Sequence, residues 1–488
     1  VPSVLPRIIR LPDVSEANSR HCFVFLEDML MFYAARFFVG YDLLEARAFR
    51  ITRDADLYID EEDAQDLVVE VERQLKKRQR GQAVRLEFEV GTSRFMRRFM
   101  TQEMNLEKED MYQIDGPLDM TVFFGFCGIK GYDHLRYPEA HPHSPWSMLE
   151  LKRTPETNIF DMIREKDLLI HLPYESFDES VVNFLYSAAN DKDVLAIKQT
   201  LYRVSSSSPV VQALEKAVQN GKQVTVLMEV KARFDEANNI LMARRLEKAG
   251  AHVIYGLVGL KTHSKCTLVI RREKDGIRRY VHVATGNYNA STAKLYTDLG
   301  ILTCSDRFGI DASAFFNLLS GYSDPPIWDS FIVAPINLRQ RCIELIDREI
   351  HFAKNGEDAH MIAKMNSLLD KGIIEKLYEA SQAGVKIELI VRGICVLIPG
   401  IPGVSDNITV RSIVGRFLEH SRIFWFRNGG REELYISSAD WMPRNLNDRV
   451  ELMVPIEDPE IKRRLKQMVD IELSDNQKAH IMQADGTW

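Results

Sequence analysis

The residues with the clearest chemical potential are histidines that stand two positions before a lysine or arginine. Chance alone gives about 12 × 63/488, or 1.5, such pairs in this chain. Residues i and i+2 on a strand share a face, so an imidazole and a fixed cation would point the same way. A neutral imidazole is a nucleophile near pH 7, and fixed cations stabilise charge on phosphoryl oxygens. Three pairs occur: His134 with Arg136, His263 with Lys265, and His420 with Arg422.

A repeat in the surrounding sequence separates two of these pairs from the third. The offsets between equivalent landmarks fall steadily, from 166 through 163 to 157 residues, which indicates a duplicated domain with small loop changes. The landmarks are Lys198 and Lys364, Gly221 and Gly384, and His263 and His420. His263 and His420 each begin a predicted strand, and a Gly/Ser–Asn/Asp turn comes later in each half. His134 lies in a proline-rich loop, and we attribute its pair to coincidence.

Alternating strands and helices must position these residues. From about residue 150, "DVLAIKQTLYR" predicts a strand, "SSSPVVQALEKAVQNG" a helix, and "KQVTVLMEV" a further strand. This order is typical of an α/β domain with a mixed sheet. Residues 1–150 mix a charged helical stretch with short alternating runs and predict an α+β domain. Because "SDPPIWDSF" cannot continue a strand or helix, we expect further domains at 151–328 and 329–488.

Composition limits the class of protein and its partners. The net charge of −7 gives no general affinity for nucleic acid, so an anionic substrate needs a local cluster of cations. Six scattered cysteines without a CxxC pair argue against a zinc site or disulfide framework and for the cytoplasm. The apolar runs are too short for a transmembrane helix, and the first residues have no signal-peptide layout. Peripheral association with a membrane stays open.

Three arginines lie at the ends of predicted strands, where an α/β fold would direct them toward a ligand. They are Arg203 in "TLYRV", Arg233 in "EVKARFDE" and Arg392 in "IVRGI". A single arginine of this kind more often pairs with a nearby carboxylate. Three of them beside two His-x-cation strands favour phosphate, because the guanidinium group matches phosphate oxygens in a bidentate manner.

At this level of detail the chain resembles known families. The paired His-x-cation strands look like the phospholipase D superfamily. Longer motifs are similar to polyphosphate kinase of the first type over roughly residues 1–485. They include "EVKARFDEANNI", "GLKTHSKC", "ATGNYNASTAKLYTDLGILT" and "SSADWMPRN". The resemblance implies two duplicated phospholipase D-like α/β domains with mixed sheets, preceded by an α+β head domain that aids dimerisation.

The resemblance also implies residue roles. His263 corresponds to the phosphorylated histidine, and His420 to a second histidine in nucleotide binding and acid/base chemistry. Arg203 and Arg233 match the magnesium site. Because arginine has no lone pair for a metal, we expect these two to hold phosphate oxygens that in turn bind Mg²⁺. The expected nucleotide and phosphate contacts are Tyr296, Arg392, Lys265, Asn287, Asn289 and Arg422.

The implied activity is reversible transfer of the terminal phosphate of ATP, giving ADP, to inorganic polyphosphate through a phosphohistidine. We expect a homodimer or tetramer with no nucleic-acid partner. A phospholipase D-like phosphodiesterase or nuclease is the first alternative, and release of nucleotides or choline from a diester without ATP would favour it. A non-catalytic polyphosphate-binding protein is the second alternative.

Several positions depart from the family patterns. The second half has His-x-Arg where the superfamily usually has His-x-Lys, and neither half shows the aspartate expected shortly afterwards, which argues against diesterase chemistry. The family's N-terminal helical domain, which supplies an adenine contact, is missing, so we expect adenine recognition to be incomplete. Glu419 precedes His420 and would favour a protonated imidazole if it reached the ring, although adjacent strand residues face opposite ways.

Overall fold

The computed structural model of the chain describes residues 4–12, 21–54, 67–78, 81–151, 154, 156–321 and 327–488. Its internal contacts divide the chain into two units. The first comprises residues 1–59 and 72–139, and the second comprises residues 60–71 and 140–488. The predicted three-domain division at 150 and 328 stays a prediction. Residues 322–326, which include part of the predicted boundary, lie outside the described residues.

The first unit has the α+β organisation expected for the N-terminal region. Strands β3 and β4 pair antiparallel, and β4 and β5 pair parallel. Leu86, Phe88 and Met100 form part of its core. The elements are β1 (Ile8–Arg10), β2 (Phe23–Phe25), α1 (Leu26–Phe32), α2 (Ala34–Phe37), β3 (Phe49–Arg53), α3 (Leu67–Arg78, divided between the units), β4 (Ala83–Glu89), α4 (Arg94–Met104) and β5 (Met111–Ile114).

The second unit begins with a mixed sheet in the order β6-β13-β12-β11-β7-β8-β9. Strands β7, β8 and β9 run parallel, and the other neighbours in this order are antiparallel. The elements of this first half are α5 (Trp146–Leu151), α6 (Ile159–Glu165), β6 (Leu168–Leu172), α7 (Asn183–Asn190), β7 (Val194–Leu201), α8 (Pro209–Gln219), β8 (Gln223–Met228), α9 (Glu236–Ala249), β9 (His252–Ile254), β10 (Lys261–Thr262), β11 (Cys266–Glu273), β12 (Gly276–Ala284), β13 (Tyr296–Thr303) and α10 (Asp306–Leu319).

The second half repeats this arrangement in the order β14-β21-β20-β19-β15-β16-β17, and β22 is added beside β17. The same strand order with the same directions confirms the predicted duplication and the α/β class with mixed sheets. The elements are β14 (Ile332–Ala334), α11 (Leu338–Lys354), β15 (His360–Met365), α12 (Lys371–Gln382), β16 (Lys386–Val391), β17 (Ile408–Ile413), β18 (Leu418–Glu419), β19 (Arg422–Phe426), β20 (Glu433–Ser437), α13 (Pro443–Asn447), β21 (Arg449–Pro455), α14 (Pro459–Ser474) and β22 (Ala479–Ile481).

Local sequence signals define equivalent helices in the two halves. Helix α8 begins at Pro209 after the N-cap Ser208, and helix α12 follows the N-cap Asp370; each cap side chain accepts a backbone N–H of the first turn. Both helices are followed by a glycine with positive φ, 78° at Gly221 and 99° at Gly384. A residue with a side chain is disfavoured there, so each glycine allows the chain to turn into the next strand.

One short strand from each half crosses into the sheet of the other half. Strand β10 of the first half pairs parallel with β21, and strand β18 of the second half pairs parallel with β13. One hydrophobic core also contains residues of both sheets, including Leu268, Ile301, Ile362 and Leu452. The halves are therefore joined both by backbone hydrogen bonds and by a shared apolar interior.

Within the part of the chain that the structure describes, no helix combines the length and apolar character required to cross a bilayer. All six cysteines lie in described segments as free thiols.

A buried histidine on β12 makes stability depend on pH. His282 is 1% exposed, packs against Gly300 and hydrogen-bonds Tyr288. Burial lowers the pKa of His282 from its ordinary 6.5 to about 3. As pH falls below 6.5, the unfolded chain binds a proton that the folded chain excludes, so stability decreases between pH 6.5 and about 3.

We expect His282→Asn to make this decline shallower by about 1 kcal/mol per pH unit, since a titrating group is lost from the unfolded state. Urea unfolding of both proteins at several pH values between 7 and about 4.5 measures the slope. The loss of ring volume shifts stability equally at every pH and does not affect the comparison. Equal slopes for the two proteins would contradict the assignment.

Candidate active site

The two predicted histidines lie where the halves exchange strands. His263 directly follows β10, and its backbone N–H donates to the Val450 carbonyl at 2.9 Å. His420 directly follows β18, and its backbone N–H donates to Thr297 Oγ1 at 3.2 Å. Strand β10 pairs with β21 and strand β18 with β13, so each histidine lies beside the sheet of the opposite half. The fold thus brings the two His-x-cation segments together.

Each imidazole is held by a carboxylate from the opposite half. His263 Nδ1 lies 2.9 Å from both carboxylate oxygens of Glu451 on β21. His420 Nδ1 lies 2.8 Å from Asp298 Oδ1 on β13. A proton on Nδ1 that is donated to the carboxylate leaves the Nε2 lone pair available to a substrate.

The carboxylates are themselves held by hydroxyl groups at equivalent positions. Ser438 Oγ donates to Glu451, and Thr285 Oγ1 donates to Asp298 at 2.6 Å. Asn445 Nδ2 also donates to Glu451. Such bonds fix the orientation of the acceptor and, through it, of the imidazole. The two halves therefore contain the same hydroxyl–carboxylate–imidazole arrangement.

The environment of His263 keeps its imidazole neutral. The residue is 7% exposed, and burial, followed by the charges of Lys265 and Arg449, places its pKa well below the ordinary range. Lys265 Nζ lies 3.1 Å from His263 Nδ1, and burial lowers the pKa of Lys265 to about 7. A neutral imidazole beside a cation has the protonation state that a nucleophile requires.

Two opposing effects act on the pKa of His420. Burial lowers its pKa, while the adjacent Asp298 opposes this effect. The pKa of Asp298 is lowered because the favourable interactions with His420 and Thr285 outweigh its burial. The side chain of Glu419, considered above as a partner of His420, instead accepts from Thr297 and Lys364. The carboxylate that contacts the His420 imidazole is therefore Asp298, and the pKa of His420 is lowered overall.

Cations and one aromatic ring surround His420. Arg422 Nη1 lies 3.2 Å from His420 Nε2, and the same guanidinium group is paired with Asp440 at 3.1 Å. Arg392 donates to Asn366 Oδ1 at 2.7 Å, and burial lowers its pKa. The Tyr296 ring centroid is 5.2 Å from that of His420. Arg422 and Tyr296 thus lie against the imidazole, and Arg392 is linked to His420 through Asn366, whose amide donates to the His420 carbonyl.

Arg203 and Arg233 lie on the side of His263. The ring of Tyr202 contacts the His263 ring at 4.7 Å between centroids, and Arg203 is the next residue. Arg203 donates to the Arg233 carbonyl at 3.1 Å and forms an ion pair with Asp235 at 3.0 Å. Arg203 thus does pair with a carboxylate, which is the alternative to phosphate binding that the sequence left open. Its side chain nevertheless remains 40% exposed.

Among the described residues there is no cluster of three or more histidine, cysteine or acidic side chains that could hold a metal ion. The arginines at the predicted magnesium site can only donate hydrogen bonds and have no lone pair to coordinate a metal. The site thus fits a magnesium ion that arrives with a phosphate substrate and does not fit a metal held by protein ligands alone.

The two predicted asparagines have different surroundings. Asn287 Oδ1 is buried and has no hydrogen-bond partner among the described residues, so it remains available to a ligand. Asn289 Oδ1 accepts from the backbone N–H groups of Ser291 and Thr292 and so stabilises the turn. The phosphate contact predicted for Asn289 stays a prediction.

The sequence reasoning missed the carboxylates that hold the histidines. Asp298 and Glu451 are 153 residues apart, the same offset that relates Thr285 to Ser438. Extending the repeat through "YTDLGILT" and "RVELMVPI" would have aligned two acidic residues within otherwise apolar strands.

A duplicated α/β fold with two buried imidazoles among cations defines a class of phosphoryl-transfer enzymes. Comparison with known families gives a narrower assignment. The family described as polyphosphate kinase middle domain matches residues 1–126, its C-terminal domain 1 matches residues 158–325, and its C-terminal domain 2 matches residues 331–488. The chain therefore belongs to the polyphosphate kinase family.

Individual relatives agree with this assignment. The polyphosphate kinase of Halalkalibacterium halodurans is 52% identical over 482 residues, which cover 98% of this chain and 67% of the relative. That of Bacillus anthracis is 50% identical over 493 residues, covering 100% of this chain and 69% of the relative. The crystal structure of polyphosphate kinase from Porphyromonas gingivalis has a TM-score of 0.85 and 33% identity, covering 99% of this chain and 70% of that one.

The comparisons confirm the predicted family, fold class and kinase activity. They do not favour a phospholipase D-like phosphodiesterase or nuclease. The roles of the individual residues stay predictions, since the comparisons assign none.

The close approach of Gly286 to Asp298 provides a test of the His420–carboxylate contact. A Cβ atom on Gly286 would lie 2.2 Å from Asp298 Oδ2 and 2.7 Å from Asp298 Cβ. We therefore expect Gly286→Ala to displace Asp298 from His420 and to lower kcat about 100-fold, as a misplacement near 1 Å can do. Steady-state kinetics with ATP and polyphosphate measure the change.

Ala439, the counterpart of Gly286, already carries a Cβ atom, so Ala439→Gly is the control and should cost about 0.5–1 kcal/mol of stability. Wild-type turnover in Gly286→Ala would show that the contact between Asp298 and His420 is not needed.

Proposed function

We propose that this chain transfers the terminal phosphate of ATP reversibly to inorganic polyphosphate through a phosphohistidine on His263. The observation that carries the proposal is the pair of buried imidazoles, each held at Nδ1 by a carboxylate of the other half. Such a contact leaves Nε2 of a neutral imidazole as the attacking atom. Membership of the polyphosphate kinase family supplies the substrates.

The first step forms a bond between His263 Nε2 and the γ-phosphorus and breaks the bond from that phosphorus to the β–γ bridging oxygen. ADP leaves with the electron pair of the broken bond. The imidazole becomes positively charged, and Glu451 at Nδ1 stabilises this charge. In the second step a terminal oxygen of polyphosphate attacks the phosphorus, and the imidazole leaves as a neutral group.

The two histidines have different roles in this scheme. Two imidazoles near one phosphoryl group cannot both attack in one turnover, so their environments must differ. His420 lies against Arg422 and Asp298, which suits it to bind the nucleotide phosphates; it can act as an acid only in the protonated form, which Asp298 favours and burial opposes. Arg392 and Arg422 supply fixed positive charge for the phosphoryl oxygens, Lys265 adds positive charge in its protonated form, and Tyr296 and Asn287 complete the nucleotide and phosphate contacts.

Magnesium enters as MgATP in this proposal. Arg203 and Arg233 bind oxygens of the phosphate chain whose other oxygens bind the ion, which matches donors without metal-binding lone pairs. The exposure of Arg203 beside Tyr202 and His263 supports this placement. Magnesium bound to the phosphates neutralises charge that develops during transfer.

The cellular setting follows from the substrates. ATP and a reducing environment for six free thiols support a cytoplasmic location. We further propose a homodimer or tetramer, because the N-terminal region resembles the family's head domain.

We also propose that Asn289 contacts phosphate through the second N–H of its side-chain amide.

The nucleophile assignment predicts that His263→Ala abolishes both self-labelling and polymer synthesis without unfolding the protein. Incubation with γ-³²P-labelled ATP, followed by acid and alkali treatment, identifies a phosphoramidate because this bond is lost in acid and survives alkali. His420→Ala is the matched control: net turnover should stop, while a trace of label on His263 persists. Acid-labile label on the His263→Ala protein would refute the assignment.

For the arginines beside His263 we expect Arg203→Ala and Arg233→Ala each to cost about 2–4 kcal/mol of transition-state stabilisation, as for one positioned charge donor. Their effect should fall on kcat more than on the affinity for ATP. Arg245, which pairs with Glu215 between helices α8 and α9, provides a surface control in Arg245→Ala. Normal kcat with only a raised KM would show that the arginine aids binding alone.

A further inference from the structure

The backbone of His420 is fixed by a side chain, whereas that of His263 is fixed by the backbone of a neighbouring strand. The N–H of His263 donates to the main-chain carbonyl of Val450. At the equivalent position of β13 stands Thr297, and the N–H of His420 donates to its hydroxyl oxygen at 3.2 Å. Asn366 and Arg422 hold the His420 carbonyl, so what holds the Thr297 hydroxyl determines the position of the His420 backbone on its N–H side.

A buried lysine holds that hydroxyl through a carboxylate. Thr297 Oγ1 donates to Glu419 Oε2 at 2.9 Å, which leaves the hydroxyl lone pairs free to accept from His420. Lys364 Nζ donates to the same Glu419 oxygen at 2.6 Å and also binds Glu472 on helix α14. The residues form a continuous chain of hydrogen bonds, Lys364–Glu419–Thr297–His420.

The chain lies in an environment where losing one partner is costly. Lys364 is 2% exposed, and its pKa is raised because Glu472 and Glu419 outweigh the effect of its burial. Without this cation, two carboxylates would face each other in a region shielded from water, and Glu419 would have to move or bind a proton. Either change removes the fixed acceptor that orients the Thr297 hydroxyl.

The same short segment also contacts a phosphate-binding arginine. Arg392 Nε lies 3.4 Å from the main-chain carbonyl of Glu419, so the residue before His420 contacts both Lys364 and Arg392. A displacement of Glu419 would therefore move the imidazole relative to the guanidinium group. Glu419 thus contacts Lys364 through its carboxylate and Arg392 through its main-chain carbonyl.

We propose that Lys364 is a positioning residue for His420, acting through Glu419 and Thr297. The proposal rests on the function proposed above, because it assumes that His420 takes part in turnover. Lys364 touches no substrate in this role. It holds the carboxylate that fixes the hydroxyl to which the His420 backbone is bound.

The first half supplies a natural comparison. Lys198 corresponds to Lys364 in the repeat, yet among the described residues its Nζ has one hydrogen-bond partner, Asn317 Oδ1, at 3.5 Å. The counterpart of Glu419 is Thr262, which has no carboxylate. The backbone N–H of Thr262 donates to Glu229 at 2.7 Å, and the buried Lys231 donates to the Leu260 carbonyl at 2.9 Å. The first histidine segment is therefore held by residues other than Lys198, which makes Lys198→Met a suitable control.

The test compares Thr297→Val, Lys364→Met, the double variant and the control Lys198→Met in the full chain. Valine nearly matches threonine in volume and is the residue at the equivalent position of β21, Val450, so Thr297→Val should fold. We expect Thr297→Val and Lys364→Met each to lower kcat about 10- to 100-fold and to leave KM for ATP within about threefold. Lys198→Met should keep kcat within about twofold of wild type.

The double variant decides whether the two residues act together. Because both belong to one chain of hydrogen bonds, its kcat should be no lower than that of the worse single variant. Multiplied losses in the double variant, or wild-type kcat in Thr297→Val, would overturn the proposal. If Lys364→Met does not fold, the kcat and KM of Thr297→Val alone decide the outcome.

The failure of this proposal is distinguishable from failure of the proposed function. Polymer synthesis and acid-labile labelling by the wild-type protein test the function. The ratio of variant to wild-type kcat tests the role of Lys364. A wild-type protein that neither labels nor extends polyphosphate would refute both, whereas an active wild type with an equally active Thr297→Val variant would refute only the positioning role.

Discussion

Each imidazole of the site is bound by a carboxylate that belongs to the other half of the repeat, and the rest of the architecture follows from this requirement. A neutral histidine buried among cations keeps one tautomer and one orientation only if an acceptor holds its Nδ1–H. Glu451 and Asp298 satisfy this need, and strands β10 and β18 cross between the sheets to bring each histidine to its partner. Neither half can form the site alone, since each contains one histidine and the carboxylate for the other.

The repeat is symmetric in its scaffold and asymmetric in its charges. Glu229 and Arg392 follow the equivalent strands β8 and β16, and both contact the residue that precedes a catalytic histidine. Glu229 accepts the backbone N–H of Thr262, whereas Arg392 donates to the carbonyl of Glu419. An acidic side chain at one position and a basic side chain at the other give the two histidine segments different electrostatic surroundings.

Much of the fold was accessible from the sequence because its signals are local. Strand–helix alternation, the N-caps at Ser208 and Asp370, and the glycines after α8 and α12 all act within a few residues. The order of these signals was enough to detect the duplication. The histidine pairs could be selected in the same way, because their settings repeat at a nearly constant offset.

The contacts inside the site were not accessible, since they join residues far apart in the chain. His263 and Glu451 are separated by 188 positions, and no local pattern indicates that they meet. Glu419, adjacent to His420, was the obvious acid in the sequence, yet the strand turns its side chain toward Lys364. Proximity in sequence suggested the wrong carboxylate because neighbouring strand residues face opposite ways.

The accumulation of buried charge at the strand exchange is itself informative. Lys265, Arg422 and Glu451 are each 3% exposed or less, and Asp298 and Asp440 are 5% and 7% exposed. Replacing a buried ion pair by apolar residues of similar volume is often neutral or stabilising, so stability alone does not account for such a cluster. Around these charges both sheets are densely apolar, which shows that the fold has no shortage of hydrophobic surface at this place. A rigid array of fixed charges in a region shielded from water is what binding and transferring a phosphoryl group requires, because its dipoles need no rearrangement when charge develops. The same argument explains the two hydroxyls at Thr285 and Ser438: each fixes a carboxylate that could otherwise rotate, and an imidazole is only as well oriented as the group that holds it.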